Sequence, residues 1–204
     1  MVFDGVLISL IVGFLRKGSL HGIADLKLKA GLVFPLLLII QIAIYGFQNK
    51  YQFILNISGF LFIVIYILGM YFLWLNRHHY GFLLILAGVF LNFLVMALNG
   101  GRMPVSEEAA MILDPYYIEV LKNGVYAKHT LLTEFTKLAF LGDVIPITSP
   151  YPKIRVISIG DVFMSIGVFF FIQNLMLNHK QTNDSDSETS FINGGGELHE
   201  QAKN

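Results

Sequence analysis

No cysteine occurs anywhere in the 204 residues. That excludes disulfides, thiolate zinc sites, thiol catalysis and cysteine-ligated iron–sulfur clusters. Charge is scarce as well: only 14% of residues are charged, against roughly a quarter in an average soluble domain. The chain is therefore short of the polar surface needed to face water on every side. Its 14 basic and 14 acidic residues cancel, so no global field points to nucleic acid. Catalytic motifs are missing too. There is no G-x-S-x-G, Walker or Rossmann fingerprint, and no H-E-x-x-H or comparable histidine spacing that would hold a metal. No cofactor is expected, and an enzyme is the less expected class.

What is abundant is apolar. Hydrophobic residues make up 55% of the chain, with 18 Phe and 19 Gly, a pairing that suits membrane helices: Gly permits close helix contact and Phe is at home in lipid. A bilayer core about 30 Å thick takes roughly 20 apolar helical residues. Five segments approach that length: residues 2–15, 30–47, 53–75, 80–98 and 156–177. The first is short and carries Asp4; the second holds Pro35 and Gln41, the fourth Asn92, and the fifth Asp161 in its first turns. These segments predict an all-α, polytopic membrane helix bundle with about five transmembrane helices and a partly helical outer loop. Arg16 and Lys17 follow the first apolar run rather than precede it, and no small-residue cleavage site comes after. The run therefore reads as an uncleaved span, not a signal peptide.

Orientation follows from Lys and Arg in short loops. Arg16, Lys17, Lys27 and Lys29 lie in the first loop and Arg77, His78 and His79 in the third, while the second has only Lys50. The first and third loops are expected on the cytoplasmic side of a cell membrane, with the N-terminus outside and the C-terminus inside. Tyr45, Tyr51, Tyr71, Trp74 and Tyr80 fall near the predicted interfaces. Residues 179–204, with Asp184, Asp186 and Glu188, are too polar to fold alone and read as a disordered cytoplasmic tail. The outer loop, 99–155, contains local helix signals. Ser106 precedes Glu107 and Glu108 as an N-cap. Asp114-Pro115 restarts a helix that Asn123-Gly124 ends. Leu131, Leu132, Phe135 and Leu138 predict a third, amphipathic helix over 130–140. Pro146, Pro150 and Pro152 then force an extended return.

Three strings carry a family resemblance: Asn99-Gly100-Gly101-Arg102-Met103-Pro104-Val105, Leu141-Gly142-Asp143-Val144-Ile145-Pro146, and Val156-Ile157-Ser158-Ile159-Gly160-Asp161-Val162. In this order after four apolar segments, and with Leu26-Lys27-Leu28-Lys29 behind the first, they resemble a family of small multi-pass membrane proteins from Gram-positive and related bacteria, catalogued as a domain of unknown function. The resemblance extends to about Leu177. It implies a bacterial inner-membrane protein and supplies no activity and no site residues.

From the residues themselves, Asn99, Gly100, Gly101, Arg102, His129, Asp143 and Asp161 are the candidate ligand-binding set. Consecutive glycines can turn backbone N–H groups toward an anion, with Arg102 as a clamp; the same glycines equally make a tight helix exit. Asp161 inside an apolar run needs a partner or serves as a helix cap, and Arg102 at the same boundary is the expected partner. Asn92 and Gln41 can hydrogen-bond between helices. His129 sits five residues before Glu134, on a different helical face, and can meet Asp143 or Asp161 only in space. Three functions compete: a non-enzymatic bundle binding a ligand or partner through its outer face, a small transporter or channel component, and a membrane enzyme acting on a lipid-linked or anionic group outside. The partners implied are the lipid bilayer and a membrane protein or second copy of the chain.

Overall fold

A computed structural model describes residues 2–48, 50–124, 126–149, 151 and 154–177. The expected tail, Pro150 and Pro152 lie outside the described residues. The chain is mostly helical. Its long elements are α1 (Val2–Leu15), α3 (Val33–Phe47), α4 (Gln52–Leu75), α5 (Phe82–Leu98) and α8 (Ile159–Leu177), with a short α2 (His21–Ala24) after the first. Among the described residues, only α4 and α8 are both long and apolar enough to cross a membrane by themselves. At 1.5 Å per residue α4 is about 36 Å long, whereas α1 is about 21 Å. The expected starts at residues 30 and 80 shift to Val33 and Phe82, behind a turn at 30–32 and Gly81 at φ +86°.

The helices pack through small and polar residues. Between α5 and α8 the contact is glycine on glycine at two levels. A Cβ on Gly160 would lie 2.6 Å from the Gly88 carbonyl oxygen, and one on Gly167 would lie 2.8 Å from that of Gly81. The two helices carry these glycines seven residues apart and run antiparallel. On the other side of α8, Gly5 faces Ser165 and Gly13 faces Met176, so α1 runs parallel to α8. The first and third loops are tied together: Lys29 N–H donates to Asn76 Oδ1 (2.8 Å), and Asn76 Nδ2 donates back to the Lys29 carbonyl (2.9 Å). The first and third loops thus share one end of the bundle, the end that carries Arg16, Lys17 and Arg77.

Residues 99–157 fold back over the opposite end. Helices α6 (Glu107–Leu113) and α7 (Pro115–Lys122) form where their caps predict: Ser106 Oγ accepts from Ala109 N–H and Asp114 Oδ1 from Tyr116 N–H. The third helix does not form. Residues 129–131 are a strand, β2 (His129–Leu131), pairing in parallel with β1 (Met103–Val105). Thr133 and Thr136 then close a turn, Leu138 takes φ +51°, and a short 3-10 turn covers Ala139–Leu141. The return is extended, as the prolines require: β3 (Ile145–Ile147) pairs antiparallel with β4 (Arg155–Ile157). The all-α expectation is corrected by these two small sheets, which occupy this segment alone.

Candidate functional site

The conformation of Asn99–Arg102 answers the choice between an anion nest and a tight exit. Gly100 and Gly101 take φ +70° and +78°. Gly101 lies backbone to backbone against Gly59 of α4, where no Cβ fits. The N–H groups of Asn99 and Gly101 both donate to the Met96 carbonyl, at 3.0 and 2.8 Å, so they are not offered to an anion. The Asn99 side chain bonds the Val95 and Lys137 carbonyls through Nδ2 and accepts from Lys137 N–H. This is a structural clamp from the end of α5 onto the outer segment.

Arg102 and Asp161 do not form the expected pair. The guanidinium donates to the carbonyls of Gly124 (3.4 Å) and Leu55 (3.3 Å). Asp161 is instead half of a capping box at the start of α8. Its Oδ2 accepts from Ser158 N–H (3.2 Å), and Asp161 N–H donates to Ser158 Oγ (3.1 Å). Such a reciprocal arrangement satisfies two otherwise open donors and suits the positive end of the helix. Asn92 completes it: Nδ2 donates to Asp161 Oδ1 (3.2 Å) and Oδ1 accepts from Ser158 Oγ (2.8 Å). Asn92 is the interhelical hydrogen-bonder that its place in an apolar run suggested.

His129 and Asp143 do come together. Strand β1 is the centre of the arrangement: β2 lies on one side, and Asp143 bridges Val105 on the other, with Asp143 N–H donating to the Pro104 carbonyl at 2.8 Å. The ladder brings His129 Nε2 to 3.4 Å from Asp143 Oδ2, with both side chains mostly buried. Tyr126 lies against the imidazole with ring centroids 5.1 Å apart. Burial pulls the His129 pKa below its ordinary value, against the pull of Asp143, so the ring is neutral at pH 7. His129 Nδ1 and Asp143 Oδ1 are both buried and have no hydrogen-bond partner. With the proton on Nε2, facing the carboxylate, both orphans are acceptors.

One central residue has no counterpart in the sequence reading. Lys128 follows Ala127, which is pinned to the bundle on both sides: Ala127 N–H donates to Gln48 Oε1 (2.8 Å) and its carbonyl accepts from Ser58 Oγ (3.1 Å). From there the Lys128 ammonium interacts with Tyr66 of α4, Tyr45 of α3, Asp143 and Asp161. Burial pushes its pKa down; those four groups outweigh burial and hold it above the ordinary lysine value. A phenol is uncharged at pH 7, so among these four groups the carboxylates of Asp143 and Asp161 are the ones that can carry charge opposite the ammonium. A lone Lys between Tyr126 and His129 reads as a solvated loop residue, and only the pinning of Ala127 turns it inward. Tyr45, expected as an interface marker, instead packs against Phe62 and Tyr126. The site therefore gathers one ammonium, two carboxylates, a neutral imidazole and several phenols where the outer segment meets the helices. Among the described residues no three His, Cys, Asp or Glu side chains gather in a metal-binding group.

Residues 25–173 match the model of DUF5317, a family of unknown function. An uncharacterized protein of Thermotoga maritima is 32% identical over 171 residues, covering 84% of this chain and 89% of that protein. No solved structure matches the chain. The chain belongs to the DUF5317 family.

Proposed function

We propose that this member of the DUF5317 family is an integral membrane protein of the bacterial cytoplasmic membrane that binds a hydrogen-bond-donating ligand or partner group at its outer face. In this reading α1, α3, α4, α5 and α8 cross the bilayer, with the N-terminus outside and the C-terminus inside. Support for the bilayer comes from large apolar side chains facing outward on all five helices, among them Ile11, Ile39, Phe60, Leu83 and Ile166. Fully buried Ser58 and Ser158 and nearly buried Asn92 lie within. Apolar patches of that extent mark a surface that water does not cover. The shared end of the two basic loops supports the orientation. The short α1, α3 and α5 match a bilayer through their apolar flanks or local thinning.

The observation that carries the binding reading is the cluster around Lys128. Two carboxylates outnumber one ammonium once His129 is neutral, and the two orphaned atoms are acceptors. The cluster therefore favours a group that brings N–H or O–H donors, such as an amine. The expected anion-binding role of Asn99–Arg102 gives way to it, because the Asn99 and Gly101 N–H groups are turned onto the Met96 carbonyl and Arg102 onto the carbonyls of Gly124 and Leu55. Diethyl pyrocarbonate, which attacks neutral imidazole, tests the idea. Modification of His129 in the folded protein, mapped by mass spectrometry, and its suppression by small primary amines without an equal loss at exposed His78, which controls for reagent consumed by the amine, would support an accessible site. Modification only after unfolding would make the cluster a sealed structural core and defeat the proposal. A neutral imidazole beside a carboxylate also favours a second reading, acid–base chemistry on the bound group. Loss of turnover of the bound amine in His129→Gln, with the amine's stabilisation of the folded chain against melting retained, would mark it.

A further inference from the structure

At the inner end of the bundle, α1 and α8 meet the start of α5 around a cavity of about 230 Å³ lined by Arg16, Tyr80, Phe170, Gln173, Asn174 and Leu177. We infer that this cavity receives the phosphate of an anionic lipid headgroup from the inner leaflet, an inference that rests on the bilayer placement proposed above. Its cation is held in place by a buried side chain. Gln173 is 4% exposed. Its Nε2 donates to the Ser9 carbonyl of α1 (2.6 Å), and its Oε1 accepts from Arg16 Nη1 (3.0 Å). That bond engages one of the five guanidinium donors. Among the described residues no acceptor takes the others. A planar fork with free donors matches two phosphate oxygens at once. Asn174 and Tyr80, both able to donate, are part of the wall, and among the described residues no carboxylate lines it.

Size and surroundings favour a lipid. Pockets that enclose a whole drug-sized ligand run about 300–1,000 Å³, so this one takes a group rather than a molecule. Phe170 and Leu177 line it, and the exposed Phe14 and Leu15 immediately precede Arg16 in α1; together they offer apolar surface for acyl chains. The chain next to Arg16 supports a need for positive charge. Helix α1 ends in a Schellman motif, with Gly18 N–H bonded to the Gly13 carbonyl and Lys17 N–H to that of Phe14, both at 2.8 Å. The left-handed position of that motif is glycine's by default; here it is Lys17 at φ +61°. A strained backbone there carries a second cation, next in sequence to Arg16. Arg16 and Lys17 also complement the negative end of α1, a role indifferent to lipid type, so lipid dependence separates the two.

The full chain, reconstituted into phosphatidylcholine vesicles with or without phosphatidylglycerol at constant ionic strength, provides the test by its melting midpoint. Phosphatidylglycerol should raise the wild-type midpoint by roughly 3–5 °C, the shift for a ligand at about tenfold over its dissociation constant. Arg16→Gln should lose that rise. Lys17→Gly should lose part of it while melting no lower than wild type in phosphatidylcholine alone, which keeps binding apart from folding. An undiminished rise in Arg16→Gln overturns the inference. So does an equal rise from inorganic phosphate in phosphatidylcholine, which would make this a free-anion site. A chain that enters neither vesicle overturns the bilayer placement and this inference together. A chain that enters both without an Arg16-dependent rise overturns the inference alone.

Discussion

The bundle and the segment that covers its 99–157 end both bury apolar side chains and differ in what else they bury and in what they turn outward. The bundle has an apolar core of its own, with Leu55, Phe62, Val95 and Met96, but it also buries Ser9, Ser58, Asn76, Asn92 and Gln173 among close glycine contacts, and it turns large apolar side chains such as Phe60 and Ile39 outward. In the outer segment Val105, Ala110, Ile118 and Leu121 form an apolar cluster, and Glu107 and Lys122 pair on the surface at 2.9 Å. The second is the ordinary arrangement of a protein in water. The first is what remains when the surroundings are as apolar as the side chains and association relies on close packing and hydrogen bonds. On the reading proposed above, the two regions face two solvents. The Lys128 cluster lies at the seam, where an ammonium from the watery segment reaches phenols of the bundle helices.

The comparison can be broken most severely at Gly88. A Leu there drives into the backbone of α8 at Gly160 and should cost roughly 3 kcal/mol or more, at or beyond the upper end of overpacking; loss of folded protein in detergent is the readout. A sharper contrast is Ile67→Asp, on an outward face of α4. In a bilayer an acid at mid-helix costs about 2.5–3.5 kcal/mol, whereas an exposed change in water falls within about 0.5 kcal/mol. Membrane yield of that variant distinguishes the two. In the outer segment, Ser106→Ala should cost about 1 kcal/mol, the worth of an N-cap, measured by thermal melting.

The smallest effect is on pH. Burial lowers the pKa of His129 at the outer end and, with the neighbouring His78, that of His79 at the inner end. Each binds a proton less readily folded than unfolded, where histidine titrates near 6.5. Their contribution is therefore complete above about pH 6.5 and is lost as pH falls from there toward the lowered folded values. Melting midpoints should decline over that window, and His129→Gln should flatten part of the decline.

The same division explains what the sequence made legible. Long apolar runs need no partner to be recognised, so α3, α4, α5 and α8 emerge within a few residues of their expected bounds. Local chemistry was equally readable: Ser106 and Asp114 cap the helices they precede. Residues 130–140 misled because their apolar spacing fits a helix, while β1, some 25 positions earlier, offers His129–Leu131 a strand to pair with. Pairing at that separation leaves no local trace. Asp161 was readable as a cap through Ser158 three residues before it, whereas its supposed partner Arg102 is drawn to the carbonyls of Leu55 and Gly124. Lys128 was invisible for the same reason as β2: what turns it inward are bonds from Gln48 and Ser58, in other helices.

The claim that the outward apolar belt lies in a bilayer, with the two watery ends on opposite sides, has a direct test. The chain has no native cysteine, so single-cysteine variants report without background. Asn123→Cys places a thiol after α7 in the outer segment, and Arg77→Cys places one between α4 and α5. In intact cells a membrane-impermeant maleimide should label the first at once and the second only after the membrane is opened. Equal labelling of both thiols in intact cells, or labelling of Arg77→Cys alone, would contradict the account.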